Sequence, residues 1–363
     1  MASEARSRFS SSGTGRPRPS MDKYHILSRH GAGSYAVVWK AKRKSDNKLV
    51  AIKQLKDTVT SWDEVKALAE VKYLGKLRNH PNVIRLEEVV KMHDKVRWRR
   101  VLLSHGLAPC ADTRMPATPQ AFLVFNYCDG NMFQTMQAML REGRSFSEPQ
   151  IRWLIKEVLE GLAYAHEKGY MHRDIKPENI LISATERRAK LCDFGQAKEV
   201  NFEGLFTPYV STRWYRAPEL ILKATHYGPG ADMWAVGVLM AELYSLRPLF
   251  AGQSESDMLF KIGSTLGAPS SWTEGHRLAR NAGFRFPDVK PLGLASLIPA
   301  ASPDALEFLS ALLRFDPARR PSAADALRHR FMVRPCCVCV CVPLSVSVPV
   351  PVLVCALGRV CAW

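Results

Sequence analysis

Outside residues 336–363 the sequence has few cysteines and no C-x-x-C pair. Six of its nine cysteines lie in that final stretch, and the other three, Cys110, Cys128 and Cys192, are scattered. Residues 1–20 also lack the apolar run of a secretory signal peptide. Because disulfide frameworks belong to secreted chains with regularly spaced cysteines, we expect the folded part to be a reduced, intracellular protein.

The sequence also lacks a basic stripe with interleaved aromatic residues, although its formal net charge is +17. Such a stripe is typical of a nucleic-acid interface, so we do not expect nucleic acid as a partner. The charge is consistent with acidic partners of another kind. With 47% apolar and 23% charged residues the chain is not a disordered protein, and its 363 residues suit one large two-lobed unit or two modest domains.

The two ends of the chain differ in composition from the rest. Residues 1–20 are rich in Ser, Gly, Pro and Arg and are predicted to be a disordered leader, with a transit peptide as the alternative. Residues 333–363 form a Val/Cys/Pro tail in which Val and Cys alternate over Cys337 to Val342. Its prolines argue against a membrane-spanning helix. We interpret the tail as translated non-coding sequence and keep a membrane anchor as the alternative.

Between these ends the hydrophobic pattern changes once. Short runs rich in β-branched residues, such as Leu49 to Ile52, predict strands in residues 24–127, with one helix between Ser61 and Leu77. Helices dominate residues 128–332, as in Ile151 to His166 and Met233 to Tyr244. A small strand-rich lobe followed by a larger helical lobe predicts an α+β fold.

Residues 97–120 interrupt the small lobe. They separate two predicted strands that would otherwise form a short hairpin, and they contain Pro109, Pro116 and Pro119. A structureless insertion of this length is unusual inside a compact domain. We interpret it as either a surface loop or an artefact of how the chain was assembled, and we expect its removal to leave the fold at least as stable.

A glycine-rich turn and a strand lysine follow each other in the small lobe. The turn follows the pattern G-x-G-x-x-G-x-V, with Ala36 in place of the third glycine, and includes Gly31, Ala32, Gly33, Ser34 and Val38. Glycine at such a turn lets the backbone approach phosphates closely. Lys53 ends the run V-A-I-K at residues 50–53. Either feature alone is weak, because glycine turns and strand lysines are common in β proteins.

The strongest pattern is H-R-D-I-K-P-E-N at residues 172–179. An aspartate that accepts the proton of a substrate hydroxyl must lie on a loop that faces the phosphate, and Asp174 is the candidate. Lys176 can neutralise phosphate charge, and Asn179 can bind a metal ion. The D-F-G run that begins at Asp193 offers a carboxylate ligand for Mg²⁺.

In this order and spacing the motifs resemble the eukaryotic protein kinases over about residues 24–332. The resemblance implies a bilobal kinase fold, ATP and Mg²⁺ as cofactors, and phosphoryl transfer to serine or threonine. It implies that Asp174, Lys176 and Lys53 act in catalysis and that Asn179 and Asp193 bind the metal ion. The nucleotide site is implied to include Gly31, Ala32, Gly33, Ser34, Val38, Ala51, Lys53, Glu70, Phe125, Asn126 and Cys128.

The resemblance also implies partners for several charged residues. Lys53 is expected to pair with Glu70 of the following helix, with Glu64 as the alternative. Arg320 is expected to pair with Glu219, and Asp232 is expected to bind the backbone of the catalytic loop. These last pairings imply structural rather than chemical roles.

The run T-P-Y-V-S-T-R-W-Y-R at 207–216 resembles the group of cyclin-dependent and mitogen-activated kinases. With S-W-D-E at 61–64 and F-R-F-P at 284–287, it resembles the male germ cell-associated and intestinal (ciliogenesis-associated) kinase family. This implies proline-directed phosphorylation and a role in cilium assembly or intraflagellar transport. It also implies activation at Thr207 and Tyr209, whose phosphates would meet Arg173 and Arg213. The chain departs from the family pattern at Ala36, at Gln196 after D-F-G, and at the insertion.

The implied partners are protein substrates with Ser/Thr-Pro sites and an upstream activating kinase. The chain is expected to be a monomer in the cytoplasm, with the nucleus and the cilium as alternatives. The alternative function is a catalytically impaired kinase-fold scaffold that binds signalling partners. We favour an active enzyme because a scaffold usually lacks at least one catalytic residue, whereas the chain has Lys53, Glu70, Asp174, Asn179 and Asp193.

Overall fold

The computed structural model describes residues 20–32, 36–59, 61–92, 102, 120–200 and 213–333. These residues belong to two compact units. The first comprises the described residues within Met1–Trp62 and Glu87–Phe125, and the second those within Asp63–Leu86 and Asn126–Trp363. Except for Ser20 and Val333, the predicted leader and tail lie outside the described residues.

The first unit is built on a five-stranded sheet. Its strands are β1 Tyr24–Ala32, β2 Ala36–Arg43, β3 Leu49–Thr58, β4 Leu86–Met92 and β5 Gln120–Asn126. The strand order is β1-β2-β3-β5-β4, and β2 pairs antiparallel with both β1 and β3. In β2 the buried residues Val37, Trp39 and Ala41 alternate with more exposed ones, because successive side chains of a strand point to opposite faces.

Two residues of the 97–120 segment belong to this unit's core. Leu102 is 1% exposed and lies in the cluster formed by Met21, Tyr24, Ile26, Val37, Trp39, Ala41, Val50, Ile52, Val90, Phe122 and Val124. Gln120 begins β5 and accepts a 2.9 Å hydrogen bond from Gln54, which accepts one of 2.9 Å from Trp39. The expectation that the whole segment is dispensable is therefore wrong at Leu102 and Gln120.

The second unit is mainly helical. Its helices are α1 Trp62–Ala67, α2 Ala69–Lys76, α3 Met132–Arg141, α4 Glu148–Glu167, α5 Pro218–Ile221, α6 Gly230–Ser245, α7 Glu255–Leu266, α8 Thr273–Asn281, α9 Leu294–Leu297, α10 Pro303–Leu312, α11 Ala323–Leu327 and α12 Arg330–Val333. Short strands accompany them: β6 Gly130–Asn131, β7 Tyr170–Met171, β8 Ile180–Ser183, β9 Arg188–Leu191 and β10 Lys198–Glu199. A strand-rich unit and a helical unit confirm the predicted α+β class.

The segment Asp63–Leu86 belongs to the helical unit by its contacts, although the sequence analysis placed residues 24–127 in the small lobe. Asn82 donates to Glu157 of α4 at 2.7 Å, and the amide of Ile84 donates to the carbonyl of Leu191 at 2.8 Å. These hydrogen bonds join the segment to α4 and β9. Sequence periodicity cannot reveal such partners, because they lie far along the chain.

The helix predicted between Ser61 and Leu77 is divided in two. Leu68 has φ −55° and ψ 125°, an extended conformation that separates α1 from α2. The predicted apolar face is nevertheless present, because Val65, Leu74 and Leu77 are each at most 2% exposed. The division leaves α2 as an eight-residue helix that is not a direct continuation of α1.

Helix α6 lies in the centre of the second unit. Thirteen of its sixteen residues are buried, from Ala231 to Leu243. A helix that is apolar on all sides is stable only when protein surrounds it. Its two buried carboxylates, Asp232 and Glu242, therefore need partners, and both take part in the site described below.

Replacing Leu102 with alanine is expected to lower the free energy of unfolding by about 2–5 kcal/mol, because it leaves a cavity among buried side chains. Urea denaturation measures the change. Leu49→Ala is the matched control, since Leu49 is 40% exposed in the same unit, and it should shift the midpoint little. Equally small shifts in both variants would contradict the core position of Leu102.

Candidate active site

Asp232 organises the backbone of the loop at residues 172–179. Its carboxylate accepts hydrogen bonds from the amides of His172 at 2.8 Å and Arg173 at 2.7 Å, and it lies 2.9 Å from Nε2 of His166. Burial opposes its ionisation, but the bonds from His166 and from the Arg173 amide outweigh this and hold the pKa of Asp232 below its usual range. The expected role of Asp232 is confirmed.

The loop adopts a strained conformation that these hydrogen bonds stabilise. Arg173 has φ +70°, in the left-handed region that side chains other than glycine rarely occupy. The ring of His172 connects its own loop to the segment before Asp193. Its Nδ1 accepts from the amide of Asp174 at 3.2 Å, and its Nε2 lies 2.9 Å from the carbonyl of Cys192. This pattern fits one neutral tautomer, with the proton on Nε2.

The carboxylate of Asp174 is held by two side chains of its own loop. Lys176 Nζ and Asn179 Nδ2 lie 2.8 and 2.9 Å from Oδ2, and Asn179 also donates to the carbonyl of Asp174 at 2.8 Å. Asp174 is 8% exposed. The neighbouring ammonium group offsets the loss of solvent around this carboxylate, and a carboxylate is a group that can accept a proton from a substrate hydroxyl. The structure brings these three predicted residues together.

Asp193 lies directly beside this loop. The amide of Cys192 donates to the carbonyl of Asn179 at 3.0 Å, so the two predicted metal ligands are on adjacent segments. Asp193 has φ +59°, and the following Phe194 is fully buried with its ring 4.6 Å from that of His172. The buried phenylalanine thus anchors the turn that carries the carboxylate.

Asn179 and Asp193 form a donor set that suits Mg²⁺. An amide oxygen and a carboxylate are hard oxygen ligands, and Mg²⁺ is usually bound by one or two carboxylates together with substrate phosphates. Within the described ranges there is no group of three or more His, Cys, Asp or Glu side chains that could hold a metal ion unaided. The residues present fit a metal ion shared with a bound phosphate.

The first unit carries the predicted phosphate-binding residues on three neighbouring strands. Lys53 of β3 lies opposite Val38 of β2, and Val38 also lies opposite Gly31 at the end of β1. Ala51 lies two residues before Lys53, and Ala32 ends β1. Gly33 and Ser34 lie outside the described residues.

Ala36, which replaces the third glycine, begins β2 and is 7% exposed. Its methyl group is therefore inside the unit rather than on its surface. Glu70 lies in α2 of the second unit and is 8% exposed. Glu64, the alternative partner of the lysine, lies in α1 and is exposed.

Three residues that the sequence analysis assigned to nucleotide binding lie at the end of β5 or just after it. Phe125 is 7% exposed at the end of β5. Asn126 accepts from the amide of Arg85 at 3.1 Å and donates to Glu186 at 3.3 Å. Burial raises the pKa of the Cys128 thiol to about 12, so this cysteine stays protonated at neutral pH.

Arg173 and Arg213, predicted to meet phosphates, already have protein partners. Arg173 Nη1 donates to the carbonyl of Gln196 at 3.2 Å, and its guanidinium lies 5.4 Å from the ring centroid of Tyr227. Arg213 Nη1 donates to the carbonyl of Gln253 at 2.7 Å. Thr207 and Tyr209 lie outside the described residues, so their pairing with these arginines stays a prediction.

A buried tyrosine–glutamate pair lies in the same unit and was missed by the sequence analysis. Tyr215 Oη donates to Glu242 Oε2 at 2.6 Å. Burial and the nearby Glu178 raise the pKa of Glu242 to about 7, against the opposing effect of the tyrosine hydrogen bond. No local motif identifies this pair, because its members lie 27 residues apart.

Arg320 and Glu219 form the expected buried ion pair. Two parallel hydrogen bonds of 2.7 and 2.8 Å join them, and their side chains are 0% and 3% exposed. Arg320 also donates to the carbonyls of Arg314, Phe315 and Gly230. All five N–H groups of the guanidinium thus donate to an acceptor, which offsets the cost of burying the charge.

The protein kinase domain family matches residues 24–332 of this sequence. This range contains the catalytic loop, the D-F-G turn and the Arg320–Glu219 pair. The chain belongs to the protein kinase family. The kinase is similar to serine/threonine-protein kinase MAK of Mus musculus, with 41% identity over 86% of this chain and 46% of the relative.

Two other relatives have sequence identities close to that of MAK. Serine/threonine-protein kinase ICK of Mus musculus is 39% identical over 86% of this chain and 45% of its own length. Cyclin-dependent kinase F-3 of Oryza sativa subsp. japonica is 40% identical over 86% of this chain and 65% of its own length. The kinase thus spans about half the length of its MAK and ICK relatives. Among the helices in the described part of the chain, none is long and apolar enough to cross a membrane.

Replacing Arg320 with alanine is expected to lower the free energy of unfolding by about 3–5 kcal/mol, because Glu219 would remain buried without its counter-charge. Chemical denaturation measures the loss. Arg277→Ala is the control, since the side chains of the Arg277–Glu274 pair are 57% and 56% exposed, and it should have little effect. Similar stability in both variants would contradict the structural role of Arg320.

Proposed function

We propose that the chain is an ATP-dependent protein serine/threonine kinase that transfers the γ-phosphoryl group of ATP to a substrate hydroxyl. The observation that carries this proposal is the geometry of Asp174. Its carboxylate is held by Lys176 and Asn179 on a loop whose backbone is fixed by Asp232. Membership of the protein kinase family and the likeness to MAK and ICK support it further.

In this proposal Asp174 accepts the hydrogen bond, and then the proton, of the attacking hydroxyl. Lys176 Nζ lies 2.8 Å from the carboxylate, and this ammonium group can neutralise charge on the transferred phosphoryl group. A lysine two residues after the base favours serine and threonine over tyrosine as acceptors. Asn179 holds the carboxylate in one orientation, so the base does not need to reorganise as the reaction proceeds.

The nucleotide-binding roles are those that the family resemblance implies. We propose that Lys53 binds the α- and β-phosphates and that Glu70 orients this lysine. Asn179 and Asp193 would hold Mg²⁺, which supplies positive charge between the phosphates when bound. The remaining nucleotide-site residues keep the roles that the family resemblance implies for them.

Regulation is proposed to follow the T-x-Y pattern of the mitogen-activated group. Phosphorylation of Thr207 and Tyr209 would add anionic oxygens that pair with Arg173 and Arg213. Both arginines now donate to backbone carbonyls, at 3.2 and 2.7 Å, and these are bonds that a phosphate could replace. We propose that the Arg213 pairing shapes a pocket for proline after the acceptor residue.

The wider biological role is proposed from resemblance. Substrates with Ser/Thr-Pro sites, an upstream activating kinase, and a function in cilium assembly or intraflagellar transport follow from the likeness to the MAK and ICK family. A monomer in the cytoplasm, the nucleus or the cilium is consistent with this proposal.

Asp174→Asn is expected to reduce phosphoryl transfer by at least about 10²-fold, because the proton acceptor is lost. Binding of Mg-ATP should remain nearly unchanged, since the phosphate and adenine contacts stay in place. Radiolabelled transfer to a serine peptide and calorimetric titration with Mg-ATP measure the two effects. Asp288→Asn, at an exposed position, is the matched control. Normal transfer by Asp174→Asn would remove Asp174 from its proposed role.

Dual phosphorylation at Thr207 and Tyr209 is expected to raise activity by about tenfold or more, because hydrogen bonds to charged groups contribute about 1.5–3 kcal/mol each. A peptide array with both forms of the enzyme measures the gain and the preference for Ser/Thr-Pro. Arg213→Ala should weaken that preference more than it weakens ATP binding. Arg277→Ala serves as the control. Equal activity of both forms, or indifference to proline, would refute the regulatory proposal and leave the kinase assignment intact.

A further inference from the structure

The chain contains serine and threonine residues that are followed directly by proline. They are Thr118, Thr207 and Ser302. The first two lie outside the described residues, whereas Ser302 directly precedes Pro303, the first residue of helix α10. Because the kinase is proposed to prefer proline after the acceptor, Ser302 has the sequence of a substrate site.

The conformation and exposure of Ser302 also suit an acceptor. Its φ is −65° and its ψ is 161°, so its backbone is extended just before the helix begins. Pro299, Ala300 and Pro303 are exposed, and Ser302 itself is partly exposed. Its hydroxyl oxygen accepts a hydrogen bond from the amide of Ala305 at 3.2 Å. A phosphate oxygen can accept the same bond, so the modified residue can still cap the helix.

Helix α4 separates Ser302 from the catalytic loop of its own chain. The amide of Ser302 donates to Glu148, the first residue of α4, at 3.0 Å. Near the other end of α4, His166 contacts Asp232, which binds the loop that carries Asp174. Glu148 and His166 lie about 27 Å apart along the helix axis, at about 1.5 Å per residue. Ser302 therefore has to be presented to the catalytic loop of a second copy.

We propose that Ser302 is a phosphorylation site that one copy of this kinase modifies on another. The inference rests on the Ser/Thr-Pro specificity proposed above. In the transfer, Ser302 Oγ forms a bond to the γ-phosphorus of ATP while the bond from that phosphorus to the oxygen bridging the β- and γ-phosphates breaks. ADP leaves with the electron pair of the broken bond, and the hydroxyl proton passes to Asp174 of the modifying copy.

Glu148 joins three helices beside the proposed site. Its Oε2 accepts from the amide of Ser302 at 3.0 Å and from the hydroxyl of Tyr244 in α6 at 2.9 Å. Its Oε1 accepts from Arg152 Nη2, one turn further along α4, at 3.4 Å. This carboxylate thus connects the start of α4, the end of α6 and the residue that precedes α10.

The side chains around the acceptor carry more negative than positive charge. Arg152 pairs with Glu148, and Arg330 of α12 pairs with Asp304 and Glu307 of α10. Three carboxylates thus share two guanidinium groups. A phosphate adds about −1.5 to −2 charge next to them. Its repulsion from the adjacent Glu148 carboxylate outweighs its favourable interaction with the N-terminus of α10, so phosphorylation weakens the connection between the three helices.

A transfer assay between copies tests the site. The full-length Asp174→Asn chain is the substrate, and a small amount of wild type with Mg-ATP is the enzyme. Mass spectrometry should find phosphate on Ser302, and Pro303→Ala in the same substrate should lower its amount about tenfold or more. Ser310 is the internal control and should carry no phosphate, because this exposed serine of α10 is followed by alanine. A serine-proline peptide is assayed in parallel.

Thermal unfolding tests the effect of the added charge. Phosphorylation of the Asp174→Asn chain is expected to lower its Tm by about 2–4 °C. The drop should be absent when Ser302→Ala is added. It should be smaller when Glu148→Gln is added, because this change removes the repelling charge and keeps a hydrogen-bond acceptor. Glu274→Gln is the matched control at a position whose side chain is 56% exposed, and it should leave the drop unchanged.

The outcomes separate this inference from the proposed function. If the serine-proline peptide is phosphorylated but Ser302 is not, or if Ser310 carries as much phosphate as Ser302, the site is refuted and the kinase proposal stands. If neither the peptide nor Ser302 is phosphorylated, the proposed function fails as well. If Pro303→Ala leaves the phosphate on Ser302 unchanged, Ser302 is not a proline-directed site. Equal drops in Tm with and without Glu148→Gln would refute the role of the Glu148 charge.

Discussion

Asp232 carries a negative charge at a position that is only 1% exposed, and the catalytic loop depends on it. Burying a carboxylate is costly unless hydrogen bonds replace the water it loses. Here the replacements are the amides of His172 and Arg173 and the ring of His166. The same bonds hold Arg173 in its left-handed conformation and so determine where Asp174 points. The bonds that stabilise the charge of Asp232 therefore also fix the backbone just before Asp174.

Helix α6, which carries Asp232, also contacts other segments of the second unit. Asp232 near its start binds the catalytic loop, and Glu242 near its end accepts from Tyr215 at 2.6 Å. Between them, the Trp234 ring lies 5.1 Å below the guanidinium of Arg320, which pairs with Glu219. One buried helix thus fixes three separate segments of the chain. Because it is enclosed on all sides, the two carboxyl groups on it, Asp232 and Glu242, are matched by partners elsewhere in the unit.

The segment at 97–120 shows how composition can mislead. Its prolines and lack of periodicity indicated a sequence foreign to the fold. Yet Leu102 fills part of the core, and Gln120 completes a chain of buried hydrogen bonds through Gln54 to Trp39. A polar side chain can begin a buried strand when a partner satisfies it, and only the three-dimensional structure reveals that partner.

Much of the site could be predicted from the sequence because its chemistry lies in short motifs. Asp174, Lys176 and Asn179 belong to one eight-residue run, so their short spacing along the chain already places them near one another. The strand-rich and helical halves also followed from local hydrophobic periods. The division of the predicted helix at Leu68 could not be predicted from these periods, since one residue with non-helical backbone angles leaves the apolar spacing intact.

The sequence by itself determined which residues can accept a proton, bind a metal ion or contact phosphate, because these properties belong to side chains and their local spacing. Tertiary structure alone decided that His166 supports Asp232, that Tyr215 meets Glu242, and that Lys72 reaches Glu199. The residues of each pair lie tens of positions apart, and no local pattern encodes their contact. Packing around α6 and against β7 and β10 brings them together.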